Sequence, residues 1–447
     1  MNLSYLLNTF KKILDYLIIS IPFIDFAYSV NCEYADIRLS YFIYLLYFIF
    51  YIKFFLNTVA FKKSIKKFMP YIFFLILVTA SSLYNIHAGN NTLFLFAKQI
   101  SVIIFIIFVT WMFFYNNKNN IRYILKLYLQ IAFIVSCIGL LQEFFYLTGF
   151  KYGWDYSSWK IVNQIDYSNL MLRITAVAGE PSILVYALAP AFYISLNAFL
   201  TNNTSVFHFK QWQNIIIITA MLLTYSFLGY IGIIISLFLI FFWNSKQIKI
   251  KNCFIFILLF SLMFLFGNKS IILRVNDTLY EMKHNISNNE SENKYINQEV
   301  NESTYNIFLH SKISFSNLKE HPLFGSGLGS YLKTFKKYSN QFNYDKTKRI
   351  MHQSDAASLF LRIISELGLF GIVIFFIFVI YNYVWNFTLR NQSNYFVTIN
   401  NAVLIFIVLR LIRYGVYYSD GYFLFIFIYY NSKKSLTNKE SNTAYSV

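Results

Sequence analysis

Long apolar runs alternate with short polar connections along almost the whole chain of 447 residues. A helix that crosses a bilayer needs roughly 20 mainly apolar residues. The run at 212–243 is too long for one span, and we predict a break at the sequence YSFLGYIG, Tyr225–Gly232. The predicted spans are residues 13–30, 39–60, 69–86, 94–115, 123–148, 177–200, 212–226, 228–243, 252–267, 357–385, 395–415 and 417–430. The pattern therefore predicts an all-α polytopic membrane protein with about 12 transmembrane helices, in a range of roughly 10 to 13.

One long polar connection, residues 268–356, interrupts this series between the ninth and tenth predicted spans. Its part near 285–304 is polar and low in complexity, which predicts a mobile segment. From residue 305 apolar periodicity returns, and we predict a helix that ends before Pro322. The predicted organisation is thus transmembrane helices one to nine at 1–267, the long outer loop at 268–356, helices ten to twelve at 357–430 and a tail at 431–447.

Composition agrees with the membrane assignment, since 57% of the residues are hydrophobic, 21% are aromatic and only 13% are charged. The net charge of +18 would suggest nucleic acid in a soluble protein, but the basic residues cluster in short connections between apolar runs. Alternate connections, starting with the N-terminal segment, hold sixteen lysines and arginines, and the others hold four when the long loop is left out. Because cytoplasmic loops are enriched in these residues, we expect both termini in the cytoplasm and the long loop outside.

Residues that form disulfides or hold metals are sparse. The three cysteines, Cys32, Cys137 and Cys253, are scattered along the chain and predict neither a disulfide framework nor a metal site. The predicted outer connections contain no Asp-x-Asp motif and no cluster of histidine and cysteine. We therefore expect neither a metal nor a cofactor.

Three glycines at alternate positions follow a His-Pro pair in the sequence KEHPLFGSGLGSYLKTF, Lys319–Phe335. Glycine-rich runs can cradle phosphates, but this one lacks the Gly-Lys-Ser/Thr ending of a nucleotide loop, and its outer location removes it from ATP. We predict instead that His321 and Pro322 stop a helix. Gly325 and Gly327 are then expected to form a tight turn that folds the long loop over an outer cavity.

Ionisable residues inside predicted spans are costly and so indicate function, and most of them here fall toward the outer ends of their helices. These residues are Lys98, Glu143, Glu180, Arg362, Glu366, Arg410 and Arg413. Their distribution predicts a polar cavity in the outer leaflet. Arg362 and Glu366 are four residues apart and are expected to pair with each other.

Arg410 and Arg413 are three residues apart, which would place both on one face of a helix. Two arginines on one buried face need negatively charged partners, and two interpretations remain open. One is an internal salt bridge to Glu180 or Glu143. The other is a site for a phosphate or diphosphate, which a guanidinium binds bidentately.

Glu180, Arg173 and His352 each have a structural and a chemical interpretation. Glu180 lies directly before Pro181 and either marks an ordinary helix start or orients a sugar hydroxyl or an arginine. In the chemical interpretation Arg173 meets a negatively charged leaving group. His352, shortly before the tenth predicted span, is either a surface histidine or a general base that takes a proton from an attacking hydroxyl.

Four motifs together resemble one family, the bacterial O-antigen and capsule repeat-unit polymerases, which are grouped with the O-antigen ligases. Topology is similar over most of the chain, and recognisable motifs cover a small part of it. The motifs are EHPLFGSGLGSY at Glu320–Tyr331, LRIISELGLFG at Leu361–Gly371, AGEPS at Ala178–Ser182 and TYSFLGYIGI at Thr224–Ile233. The resemblance implies a glycosyltransferase with a GT-C-like membrane fold.

The same resemblance implies roles for individual residues. The family has a histidine shortly before its Leu-x-x-x-Gly-x-x-Gly helix. His352 matches it sixteen residues before Gly368, a longer spacing than is usual, and Asp355, thirteen residues before, is the alternative. An arginine that often begins the helix before His-Pro is missing here. Outward-facing arginines bind the donor diphosphate in the family, and the candidates here are Arg173, Arg410, Arg413 and Arg349.

The implied reaction is glycosyl transfer between two glycans linked to undecaprenyl diphosphate, on the outer face of the bacterial inner membrane. His352, or alternatively Glu180 or Asp355, would be the base, and no metal would take part. The implied partners are the lipid-linked donor and acceptor, the bilayer, a chain-length regulator and a flippase, with no nucleic acid. AGEPS looks more like the polymerase branch than the ligase branch.

Three other functions remain as alternatives. A ligase would transfer finished polymer to lipid A core. A flippase for lipid-linked glycans would place charges near the bilayer midplane in repeated halves. A metal-dependent glycosyltransferase would use the sequence EYAD, Glu33–Asp36, in the first outer loop.

Overall fold

The structure is a computed structural model that describes residues 3–32, 35–56, 75–76, 78–159, 165, 167–168, 170–203, 209–286, 301–342, 350–392 and 394–444. Most of the predicted mobile segment near 285–304 lies outside these residues, and so does Arg349. The described chain is mostly helical. Its helices are α1 (Leu3–Ile24), α2 (Leu39–Leu56), α3 (78–87), α4 (Leu93–Asn116), α5 (Ile121–Leu147), α6 (Lys151–Trp154), α7 (Pro181–Thr201), α8 (Gln211–Leu223), α9 (Phe227–Asn244), α10 (Ile250–Ile286), α11 (Glu302–Glu320), α12 (Tyr331–Ser339), α13 (Leu359–Asn382), α14 (Tyr395–Ile412) and α15 (Tyr422–Ala444).

Two short antiparallel hairpins accompany the helices in the described part of the chain. They are formed by β1 (Ser29–Cys32) with β2 (Ala35–Arg38), and by β3 (Tyr167–Ser168) with β4 (Met171–Leu172). Each pair stands alone as a two-stranded sheet between helices. The architecture is therefore a helical bundle in which the strands only shape two connections.

Six helices of the described chain are long and apolar enough to cross a membrane. They are Leu93–Asn116, Ile121–Leu147, Pro181–Thr201, Phe227–Gln247, Leu359–Asn382 and Tyr395–Ile412. Three shorter apolar helices accompany them, at Leu39–Ile52, Gln211–Leu223 and Ile250–Leu265. A helical membrane protein is thus supported, while the number of about 12 spans stays a prediction.

The largest differences from the predicted boundaries lie at the ends of α10 and α15. Helix α10 continues without a break to Ile286, so it runs about 55 Å and enters the predicted outer loop. Helix α15 likewise continues to Ala444, so the predicted tail extends the last helix. Both extensions are polar segments, and the apolar pattern that predicts spans does not detect a helix that leaves the membrane. The break between α8 and α9 lies at 224–226, where it was expected.

Helix α7 forms the centre of the bundle. It packs against α8, α9 and α14. Its most apolar stretch of 18 residues is 94% buried inside the protein. A helix that is apolar on every face belongs in such an interior. Its start at Pro181 and the end of α14 lie at the same end of the bundle. This arrangement brings the residues before α7 close to those after α14.

A second, smaller core lies at that end. It is built from α11, α12 and the residues that lead into α13, and its buried members are Leu309, Ile313, Tyr331, Phe335, Tyr338, Ala356 and Leu361. Helix α11 ends at Glu320, directly before His321 and Pro322. This core therefore ties the long loop to the first turns of α13.

The glycine turn that follows His321 and Pro322 docks into a break in helix α13. Gly368 interrupts the helical backbone of α13 with φ +64° and ψ −159°. The turn replaces the missing helical partners, because Ser326 N donates to Ser365 O at 3.0 Å and Leu369 N donates to Pro322 O at 3.0 Å. The contact is close enough that a Cβ on Gly325 would lie 2.5 Å from Ser365 O.

Replacing Gly325 by alanine is expected to destabilise the protein by more than the roughly 1–3 kcal/mol of a strained backbone. Gly325 has φ +61°, and the added Cβ would also collide with the backbone of α13. Thermal unfolding in detergent measures the effect. Gly149→Ala is the matched control, since Gly149 has φ +76° with nothing within 4 Å of an added Cβ. Equal losses for the two variants would contradict the docking of the turn.

Candidate functional site

Four separate pieces of chain meet at one end of the bundle. The start of α7 contributes Glu180, the end of α14 contributes Arg413, the start of α11 contributes Ser303, and the loop before α13 contributes His352. Two ion pairs mark the place where they meet. Charged groups that converge from distant parts of a sequence in this way are a candidate active site.

Arg413 and Glu180 form the first pair. Arg413 Nη2 lies 3.8 Å from Glu180 Oε1, and their side chains are 17% and 18% exposed. Ser182 donates a hydrogen bond to the same carboxylate, and Arg413 donates one to Ser303. Tyr186 holds the backbone, as its hydroxyl donates to Arg413 O at 2.8 Å. The guanidinium is therefore fixed on one side and still open to a ligand.

His352 and Asp355 form the second pair. Nδ1 of His352 lies 3.0 Å from Oδ1 and 3.3 Å from Oδ2 of Asp355. The histidine side chain is 23% exposed and the aspartate side chain 10%. The amides of Asp355 and Ala356 both donate to the carbonyl of His352 at 3.1 Å, which closes the turn between them. The aspartate thus orients the imidazole through one nitrogen.

The two members of this pair shift each other's pKa. Burial disfavours the charged imidazole, but the Asp355 carboxylate outweighs it and the pKa of His352 lies above its ordinary value. Burial also acts against ionised Asp355, yet His352 and then Arg362 lower the pKa of Asp355 to about 2. The pair's contribution to stability is lost as the pH falls through about 2, and again as it rises through the raised pKa of His352.

The backbone around the pair is strained. His352, Ala356, Ala357 and Tyr414 all have positive φ, at +64°, +63°, +57° and +74°. Tyr414 N donates to Ala357 O at 2.7 Å, which joins the loop before α13 to the loop after α14. Non-glycine residues in this conformation cost about 1–3 kcal/mol each and cluster at functional sites.

Arg410 does not fit the expected contact with a diphosphate. Its side chain is fully enclosed, with Nη1 2.9 Å from Asp420 Oδ2 and Nη2 2.6 Å from Val416 O. The rings of Tyr186, Tyr414 and Tyr422 lie 4.7–5.8 Å from its guanidinium carbon. Its hydrogen bonds go to the connection between α14 and α15, so its place in the fold is structural.

The expectation that Arg410 and Arg413 share one helix face is wrong. Helix α14 ends at Ile412, and Arg413 is extended, with φ −145° and ψ 153°. Arg410 therefore points into the bundle while Arg413 turns toward Glu180. Of the two carboxylates offered as partners, Glu143 instead accepts from Leu172 N at 3.3 Å.

The remaining predicted residues lie apart from this group. Arg173 is 5% exposed, and its Nε is 3.5 Å from Thr224 O at the break between α8 and α9. His321, Pro322, Gly325 and Gly327 form the turn against α13 described above. Within α13, Arg362 Nε lies 3.1 Å from Glu366 Oε1, so the predicted pairing of these two residues is confirmed.

Two contributing residues were missed from the sequence. Ser303 and Tyr186 carry no motif, and only the folded chain brings them to the site. Among the described residues no group of three or more histidine, cysteine, aspartate or glutamate side chains could hold a metal.

Residues 214–376 match the model of a family described as O-antigen ligase. The matched stretch includes the glycine turn, His352 and the break in α13, and it ends before Arg413. The match confirms, over the residues it covers, the resemblance to the O-antigen polymerase and ligase superfamily. It supports a function of the O-antigen polymerase or ligase type in a membrane protein. No curated protein matches the chain.

Proposed function

We propose that this chain polymerises oligosaccharide repeat units linked to undecaprenyl diphosphate into O-antigen or capsular polysaccharide. The observation that carries the proposal is the position of the His352–Asp355 pair beside the partly exposed Arg413. A base and a fixed cation at one site are what glycosyl transfer with a diphosphate leaving group needs. The helical bundle fits a GT-C-like glycosyltransferase.

His352 is the proposed general base. Asp355 holds Nδ1, so Nε2 is the nitrogen that accepts the proton of the attacking hydroxyl. The hydroxyl oxygen of the acceptor glycan then bonds to the anomeric carbon of the donor. The bond from that carbon to the diphosphate oxygen breaks, and undecaprenyl diphosphate leaves with the bonding electrons.

Arg413 is the proposed contact for the departing diphosphate. Its planar guanidinium suits two phosphate oxygens and needs no reorganisation as charge develops. Glu180 accepts from Ser182 and pairs with Arg413, so we assign it to orienting the arginine instead of taking a proton. The guanidinium supplies the positive charge that a metal would otherwise bring, which makes the proposed reaction metal-independent.

The proposed location is the outer face of the bacterial inner membrane. The site lies at the end of the bundle that carries α11 and α12, which the distribution of lysine and arginine assigns to the outside. Both termini then face the cytoplasm. The proposed partners are the donor and acceptor glycans, a chain-length regulator and the flippase that delivers repeat units.

Replacing Asp355 by asparagine tests the role of the pair through pH. Without the carboxylate, burial and the positive charge of Arg413 outweigh the remaining effect of Glu180, and the pKa of His352 falls. Because the base works only when neutral, activity rises with pH through that pKa, and the rise is expected at lower pH in the variant. Initial rates of polymer formation between about pH 5 and pH 9 measure it. If the rate rose with pH at the same pH in the variant as in the wild type, His352 would not be the titrating base.

A deletion strain distinguishes the polymerase from its alternatives. Surface glycan limited to a single repeat unit indicates a polymerase. Lipid-linked polymer that is never transferred to lipid A core indicates a ligase, the second candidate and the function named in the description of the matched family. Repeat units that accumulate facing the cytoplasm would indicate a flippase and overturn both. Restoration by the wild-type gene is the control.

A further inference from the structure

Met351, directly before His352, has both its backbone N–H and its backbone carbonyl held by helix α11. Asn306 Oδ1 accepts a hydrogen bond from Met351 N at 2.9 Å. His310 Nε2 lies 2.7 Å from Met351 O. Asn306 and His310 are four residues apart on α11, and both are buried, at 1% and 0% exposure. One face of α11 therefore holds the segment of chain that leads into His352, the proposed base.

The hydrogen bonds fix which nitrogen of His310 carries the proton. A carbonyl oxygen can only accept, so Nε2 must be protonated to donate to Met351 O. Nδ1 then accepts from the hydroxyl of Tyr331, at 2.8 Å. Burial lowers the pKa of His310 to about 4, which keeps the ring neutral near pH 7. His310 thus links two segments without adding a charge.

Tyr331 connects this link to the glycine turn. It is the first residue of α12, directly after the turn, and its N–H points to Glu366 Oε1 at 3.3 Å. A chain of contacts therefore runs from the turn through Tyr331, His310 and Met351 to His352. The motif that carries the family resemblance therefore reaches the proposed base through the side chains of Tyr331 and His310 and the backbone of Met351.

We propose that His310 and Asn306 are positioning residues that hold His352 against Asp355. The predicted loss of activity rests on the proposed function, whereas the predicted change in the acylation of His352 does not. His352 has φ +64°, a conformation that persists only where the surroundings enforce it. Because the N–H and the carbonyl of Met351 are both held, the peptide units on either side of this residue resist rotation. Without these hydrogen bonds, the imidazole can leave Asp355.

Replacing His310 removes none of the charged groups around His352. Asp355 faces it from the same loop, Arg413 from the end of α14 and Glu180 from the start of α7. Neutral His310 faces it from α11. A change in the titration of His352 after His310 is replaced by an apolar residue therefore reports lost geometry and not a lost charge.

The experiment uses the full chain in lipid nanodiscs and four variants. His310→Leu removes both hydrogen bonds of the ring, and His310→Gln keeps a donor for Met351 O. Asn306→Ala removes the other contact with Met351. Ile313→Val is the matched control, because Ile313 is buried on the same helix without a polar link. Acylation of His352 by diethyl pyrocarbonate, followed by peptide mass spectrometry across pH, measures its neutral fraction.

We expect His352 to be acylated about three- to tenfold faster at about pH 6 in His310→Leu than in the wild type. Wild-type rates are expected for Ile313→Val and nearly so for His310→Gln. In polymerisation assays kcat is expected to fall about 10- to 100-fold in His310→Leu with little change in KM, as for a misplaced catalytic group. If His310→Leu does not insert, the result for Asn306→Ala decides.

Wild-type acylation of His352 in both His310→Leu and Asn306→Ala would overturn the inference. A general loss of structure is distinguished by Ile313→Val and by the glutamine rescue, since misfolding would expose every buried histidine alike. If acylation changes as expected while the wild-type chain makes no polymer, the positioning inference stands and the proposed function fails.

Discussion

Replacing His352 by alanine is expected to lower polymer formation at least about 100-fold, within the range usual for the loss of a general base. Nδ1 of the His352 imidazole lies 3.0 Å from the carboxylate of Asp355, and the histidine side chain stays partly exposed. Without it the acceptor hydroxyl must attack with its proton in place. The length of surface glycan on a gel, and initial rates with purified protein, measure the loss.

The control for this variant is His87→Ala. His87 is the exposed last residue of helix α3, outside the site, and its loss is expected to leave the glycan unchanged. Normal membrane levels of both variants must accompany the comparison. Full-length polymer from a properly inserted His352→Ala protein would remove His352 from the mechanism and leave Asp355 as the alternative base.

Replacing Arg413 by glutamine is expected to reduce the rate about 100- to 1000-fold, as when one group that stabilises developing charge is removed. Arg413 is held by Glu180 and Ser303 and remains 17% exposed, so its guanidinium is placed for a ligand. The loss should fall mainly on kcat, because the charge on the diphosphate grows as the bond breaks. Steady-state kinetics with lipid-linked donor separate kcat from KM.

Two further variants sharpen the test of Arg413. Arg413→Lys keeps the charge but not the planar fork, so partial recovery is expected. Arg122→Gln removes an exposed arginine that lies over the ring of Tyr395 and should have no effect. If the glutamine variant of Arg413 matched the Arg122 control, the proposed diphosphate contact would be wrong. A requirement for Mg²⁺ that EDTA reveals would instead favour a metal-dependent enzyme.

The two arginines of α14 show the limit of local reasoning. A spacing of three residues predicted a common face, which holds only while the helix continues. The helix ends at Ile412, and the two guanidinium groups separate: Arg410 pairs with Asp420 inside, and Arg413 pairs with Glu180 at the surface. The spacing alone could not reveal where the helix ends, because that depends on how the following loop packs.

Histidines of the long loop give a second example. His321 is part of a distinctive motif, yet it only ends α11 before the glycine turn. His310 carried no motif, yet it is buried and contacts both Tyr331 and Met351. The periodicity of α11 could have placed His310 on the same buried face as Leu309 and Ile313. Its partners lie 21 and 41 residues away and could not have been found that way.

The sequence by itself determined the helices, the membrane class, the break between α8 and α9 and the end of α11 before His321. Each of these depends on local chemistry, namely apolar periodicity and the backbone preferences of glycine and proline. Only the tertiary structure decided that the glycine turn docks at Gly368, and that Glu180 meets Arg413. Those contacts join residues far apart in sequence, so they follow from how the helices pack and not from any local pattern.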